Sequence, residues 1–159
     1  MRASKSILVA LVLPLTSVTL CRADDPVIQV RASDPEMNTA IATARKKLPI
    51  FWRAFAQPGK GQSDFCIKVK VEDNGAVEYF WCVDIQQSQK KITALINNDP
   101  EVVKCVKLGQ RITVREEDIA DWLYMQDEKM VGNYTLRPLM KTMSADERKK
   151  AEALLGDLP

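Results

Sequence analysis

The chain is 159 residues long, 46% apolar and formally +2 at neutral pH, which suits one globular domain able to bury a core and does not suit a disordered chain. Three of its basic residues, Arg2, Lys5 and Arg22, lie in a removable leader; without them 23 basic residues become 20 against 21 acidic ones, and the resulting net charge of −1 leaves no cationic footprint for nucleic acid. There is no histidine, which removes the commonest base near neutral pH, the usual metal ligand and every histidine-activated serine or cysteine nucleophile.

The leader comes first. Ile7 to Leu20 is almost wholly apolar behind Arg2 and Lys5, and Cys21-Arg22-Ala23 presents small residues where a signal peptidase reads. This predicts a signal peptide over residues 1–23, cleaved after Ala23, and an exported protein, periplasmic or secreted. The 14-residue apolar run is shorter than the roughly 20 residues a spanning helix needs, so no transmembrane segment is expected in the mature chain. A lipid anchor at Cys21 is the alternative, opposed by bulky Leu20 where such sites want a small residue. Three cysteines remain, Cys66, Cys82 and Cys105, in a compartment where a disulfide can persist.

Residues 24–32 form a lead too short to assign, either a loose arm or an edge strand. A helix opens at Asp34-Pro35, with Asp34 as N-cap and Pro35 in the first helical position. Met37, Ile41, Ala44 and Leu48 fall on one stripe that faces the core. Pro49 predicts a kink or restart, with Phe51, Trp52 and Phe55 continuing the apolar side. Gln57 to Gly61 is a loop.

Phe65 to Val71 and Val77 to Ile85 alternate as two strands of a hairpin around Asp73-Asn74-Gly75. A two-residue turn would put Glu78 among the apolar residues of the first strand. A three-residue loop puts Val77, Tyr79, Trp81 and Val83 there instead and gives a uniformly apolar face, so it is the register expected. That register sets Cys66 opposite Cys82 and predicts a cross-strand disulfide worth about 3 kcal/mol, with two reduced thiols as the alternative. After a turn at Ser88-Gln89, Ile92, Ala94 and Ile96 face the same core. Asp99-Pro100 predicts a short inserted helix ended by Leu108-Gly109, and Arg111 to Val114 is a further strand.

Ile119 to Met125 and Met130 to Leu136 form an aromatic hairpin closed by Asp127-Glu128-Lys129. Ser144 to Glu147 is a capping box that opens a peripheral terminal helix running through Leu155. The whole reads as an α+β domain: a long kinked N-terminal helix on a curved antiparallel sheet of about five to six strands, a short inserted helix and a peripheral C-terminal one.

Chemistry is sparse. No C-x-x-C pair, phosphate-binding loop or dinucleotide fingerprint occurs, so no metal, cofactor or catalytic residue is expected. Asp121, Trp122, Tyr124, Tyr134 and Arg137 are the candidate binding residues, exposed rings beside a charge pair being able to accept a peptide or sugar. The competing reading buries the rings in the core and has Asp121 pair with Arg137 or cap a neighbouring turn. Glu116, Glu117, Asp118 and Asp121 crowd one end of the aromatic hairpin, which admits a carboxylate-dependent hydrolase or carbohydrate-active enzyme as the alternative to a binding module.

The blocks D-P-E-M-N-T-A-I-A-T-A-R from Asp34, F-W at Phe80, I-N-N-D-P-E-V-V-K from Ile96, K-L-G-Q-R-I-T-V from Lys107, I-A-D-W-L-Y from Ile119 and K-M-V-G-N-Y-T-L-R from Lys129 resemble the YegJ-like family of small bacterial proteins, a domain of unknown function. The resemblance covers residues 33–141 and leaves 142–159 as a helical tail. It implies a bacterial protein, sometimes exported, and carries no catalytic residues over; Cys66 and Cys82 lie outside its pattern. The expected function is a non-enzymatic exported module that binds a protein or envelope component, with an inhibitory or structural partner of another exported protein as a further alternative.

Overall fold

The computed structural model describes residues 34–89 and 91–159; the leader and lead lie outside them. Helix α1 (Pro35–Ala56) packs on a six-stranded antiparallel sheet of β1 (Gln62–Asp73), β2 (Ala76–Ser88), β3 (Lys91–Ile96), β4 (Arg111–Val114), β5 (Ile119–Gln126) and β6 (Lys129–Gly132), in the order β4-β3-β2-β1-β5-β6. Two short helices, α2 (Leu136–Leu139) and α3 (Ala145–Leu154), follow. The α+β reading therefore stands. Asp34 caps α1 as expected, its carboxylate accepting the amides of Glu36 and Met37 at 2.9 and 3.2 Å. Pro49 does not restart the helix, which is one continuous run. Met37, Ala44, Leu48 and Phe51 hold the stripe on the sheet on both sides of the missing backbone donor, so packing carries the helix across it.

The β1–β2 hairpin corrects the sequence reading. Asp73 pairs with Ala76, and the two residues between them, Asn74 and Gly75, both have positive φ, 49° and 85°, the signature of a two-residue turn whose twist matches the strands. Ile67, Val69 and Val71 consequently lie opposite Cys82, Phe80 and Glu78. Glu78, the residue that argues against this register in sequence, is buried, and its carboxylate accepts the amides of Glu101, Val102 and Val103 at 2.9, 3.0 and 3.0 Å. A buried carboxylate with three donors is a satisfied one, so the polar position breaks the pattern without breaking the core.

Cys82 now faces Ile67 rather than Cys66. Successive strand residues point to opposite faces, and Cys66 packs with Trp81 and Leu123 on one side while Cys82 packs with Phe80 and Ile67 on the other. The expected Cys66–Cys82 disulfide is not formed, and Cys82 and Cys105 are free thiols. Further along β2, a bulge between Val83 and Gln86, with Asp84 at φ 46°, restores Ile85 to the core face beside Ile92, Ala94 and Ile96.

The inserted helix expected from Asp99-Pro100 is absent: residues 97–110 are irregular. The amides of residues 101–103 are held by Glu78, and that of Lys104 by Asp73 at 2.7 Å. Four consecutive donors thus point to carboxylates of the hairpin, and the β-branched pair Val102-Val103 adds little helix preference to oppose them. Val103 is fully buried, so the loop closes the core beyond the reach of α1.

At the other end, the aromatic hairpin turns at Asp127-Glu128, both with positive φ, and its second strand stops at Gly132 instead of reaching Leu136. The terminal helix opens with the Ser144–Glu147 capping box and buries no residue. The chain beyond it returns to β6: Leu155 bridges Met130, and the Gly156 amide donates to the Met130 carbonyl at 2.9 Å.

Candidate functional site

Asp121 is fully buried. One carboxylate oxygen accepts the amides of Trp122 and Tyr134 at 2.8 and 3.1 Å, and the other accepts the amide and hydroxyl of Thr135, both at 2.7 Å. All four partners are donors from its own chain. Burial pushes the Asp121 pKa up, while the charge of Lys68, the Thr135 contacts and the Trp122 amide pull it back. Lys68 faces Asp121 across the β1–β5 ladder, donates to the Thr135 hydroxyl at 3.1 Å and lies 4.7 Å over the Trp81 ring. This constellation anchors the segment where Gly132 and Asn133, at φ 91° and 50°, swing the chain away from β6. A Cβ on Gly132 would sit 2.4 Å from the Trp122 carbonyl oxygen, so only glycine fits the approach.

Of the two structural roles open to Asp121 in sequence, it caps the turn at Tyr134-Thr135 and does not pair with Arg137. Arg137 donates instead to the Gly156 carbonyl at 3.2 Å, holding the returning tail. Trp122, Tyr124 and Tyr134 are buried, not displayed. Trp122 sits at their centre, 6.2 Å from Tyr124, 5.5 Å from Tyr134 and 5.7 Å from Phe51 between ring centroids, with its indole N–H on the Ala44 carbonyl at 2.8 Å. Asp121, Trp122, Tyr124 and Tyr134 therefore tie β5 to its neighbours and to the turn after β6, Arg137 holds the tail, and the aromatic set is the core. Glu116, Glu117 and Asp118 form a single 3-10 turn in front of β5, and two of them pair with Arg115, whose guanidinium grips Asp118 with two bonds of 2.7 and 2.9 Å and reaches Glu117 at 3.5 Å.

That turn borders a cleft of about 290 Å³ between β1 and β4, at the lower end of the range of ligand pockets, roughly 300–1,000 Å³. Its apolar lining is Val69, Val71, Val106, Ile112 and Val114, and its rim carries Lys70, Glu72, Arg115 and Asp118. Strands β1 and β4 are separated in the sheet by β2 and β3, so they share a cavity only because the sheet coils. The sequence shows each of these residues as an ordinary strand position. Nothing in its periodicity reports that two non-neighbouring strands converge.

The cleft opens beside an unpaired edge. Ile96 donates to the Gln110 carbonyl, and the ladder pairs Ala94 with Ile112 and Ile92 with Val114. By the two-residue alternation of an antiparallel pair, Ile112 and Val114 exchange bonds with β3, whereas the amides and carbonyls of Arg111 and Thr113 point outward. Among the described residues no strand lies beyond β4. Also among them, no helix is long and apolar enough to cross a membrane, and no group of three metal-ligating side chains is gathered.

Residues 34–158 match the family described as "Uncharacterized protein conserved in bacteria (DUF2314)". The chain is similar to "Uncharacterized protein YegJ" of Escherichia coli (strain K12), with 30% identity over 151 residues that cover 95% of this chain and 97% of that protein. It is also similar to "Putative ankyrin repeat protein NMB1133/NMB1171" of Neisseria meningitidis serogroup B (strain ATCC BAA-335 / MC58), with 28% identity over 142 residues, 84% of this chain and 56% of that protein. No solved structure gives a significant match.

Proposed function

Because the chain belongs to the bacterial family DUF2314, whose description assigns no reaction, we propose that it acts as an exported, non-catalytic binding module that takes a protein partner at the free edge of β4 and the cleft beside it. One observation supports this reading: among the described residues the sheet leaves the β4 margin open, next to a cleft of mixed apolar and polar lining, while the chain's own tail lies against Met130 on the other margin. An exposed strand edge offers main-chain donors and acceptors to an extended segment, and a neighbouring pocket selects its side chain. The carboxylate best placed in sequence for hydrolysis, Asp121, is enclosed with all its contacts internal, so it offers a substrate no approach. The ankyrin name belongs to the Neisseria relative; ankyrin repeats form extended binding surfaces, and that name agrees with an interaction role. Export rests on the signal peptide read in residues 1–23.

The test is capture from an envelope extract with wild-type protein and with Thr113→Pro, which removes an outward amide without touching the β3–β4 ladder. A partner retained by wild type and lost by the variant, with hydrogen-exchange protection gained at residues 111–115, is the expected result. Protection confined to another face would overturn the proposal.

A further inference from the structure

The β6 margin has a short segment seated on it. Leu155 bridges Met130 in parallel, the Gly156 amide donates to the Met130 carbonyl at 2.9 Å, and Arg137 Nη2 donates to the Gly156 carbonyl at 3.2 Å. Glycine suits that last position, since a Cβ there would meet Lys129 Cβ at 3.2 Å and the Met130 carbonyl oxygen at 3.3 Å. The helix that delivers these two residues is weakly tied: α3 buries no residue, and Lys129 holds its end through an exposed bond to the Ala153 carbonyl at 2.5 Å. The segment can therefore leave β6 without opening the core.

Arg137 is under-used in this arrangement. It makes no ion pair among the described residues, and its Nε is buried without a hydrogen-bond partner, a costly state for a charged donor. Nε and Nη2 lie on one side of a guanidinium and together match the two oxygens of a carboxylate. Arg115 grips Asp118 through the same two atoms, at 2.7 and 2.9 Å. Gly156 supplies only half of such a partner: its carbonyl carbon carries one oxygen, and the next atom of the chain is the Asp157 nitrogen, a donor. A chain that ended at this glycine would carry a second oxygen in place of that nitrogen and engage both guanidinium donors.

We infer that β6 and Arg137 form a second site, independent of the β4 margin, for the free C-terminus of another polypeptide that ends in an apolar residue and glycine. The incoming end adds to the sheet in parallel, displaces residues 155–156 and gives its carboxylate to Arg137, so the chain's own tail acts as an internal competitor. Main-chain pairing with Met130 sets the register, and the two-point grip on the carboxylate distinguishes a chain end from a continuing chain.

The probes are two peptides labelled with fluorescein at the N-terminus, both Ala-Glu-Ala-Leu-Leu-Gly, one ending in a free carboxylate and the other in a carboxamide. The carboxylate peptide should bind the purified protein about tenfold more tightly than its twin, with hydrogen-exchange protection at residues 129–132. Gly156→Val in the protein, which crowds its own tail off Met130, should tighten that peptide about threefold or more. Arg137→Lys keeps the charge but loses the paired donors, and should bring the two peptides to equal affinity. Thr113→Pro, at the far margin, should change neither. Equal binding of the two peptides to the unaltered protein, or a preference that survives Arg137→Lys, would overturn the carboxylate assignment. Binding of neither peptide to the Gly156→Val protein would overturn the site. Loss of binding in Thr113→Pro would place the peptide at β4 and overturn the site as well.

Discussion

Replacing Glu78 by valine separates pattern from physics. By hydrophobic pattern the change should stabilise, since it completes an apolar face made by Ile67, Val69, Val71, Phe80 and Cys82. The structure requires the opposite. Burying the new valine would contribute at most about 1.5–3 kcal/mol. Against this, the Val103 amide, fully buried, loses its partner at about 1–3 kcal/mol, and the Glu101 and Val102 amides, nearer the surface, lose charge-assisted bonds worth about 1.5–3 kcal/mol each before water restores part of that. The balance is a net loss of about 1–3 kcal/mol. Urea denaturation should show a lower midpoint at unchanged slope, and amide exchange should accelerate selectively at residues 101–104. A variant as stable as wild type, or more so, would refute the claim that Glu78 organises this loop.

Gly132→Ala should cost about 2–5 kcal/mol, because a methyl group at φ 91° meets the Trp122 carbonyl and ring; a thermal melt within a degree or two of wild type would contradict the geometry. The raised pKa of Asp121 means that, between the ordinary aspartate value and the folded one, the folded protein keeps a proton the unfolded chain has released, so this group's contribution to stability falls as pH rises through that window. Subtracting the urea-midpoint profile of Asp121→Asn from that of wild type should reveal this slope, and a difference curve that rises with pH would reverse the assignment. Burial pushes the Cys82 thiol up to about 12, so in the native protein Cys105 should react with a maleimide and Cys82 should stay silent until denaturant is added; equal labelling rates would place Cys82 at the surface.

What the sequence reveals is what its local chemistry decides. Asp34-Pro35 and Ser144 with Glu147 mark helix starts through bonds that span two or three residues, and both are found as read. The sheet's α+β setting follows from alternation. The hairpin register fails because the partners that make Glu78 tolerable lie 23 to 25 residues further on, and no local pattern announces a carboxylate that collects distant amides. The inserted helix fails for the same reason, seen from the other side. Asp121 and the rings stand out in the sequence as a candidate binding set, whereas in the fold they fasten β5 to α1 and to the turn at residues 133–135. The cleft was invisible because it exists only after the sheet has coiled.

The return of residues 155–156 to β6 bears on stoichiometry. Fibres and open filaments need two adhesive margins on every unit, one to receive a neighbour and one to offer. Here, among the described residues, residues 155–156 lie against Met130 of β6, so a strand added at β4 would find the opposite margin partly covered for any further copy.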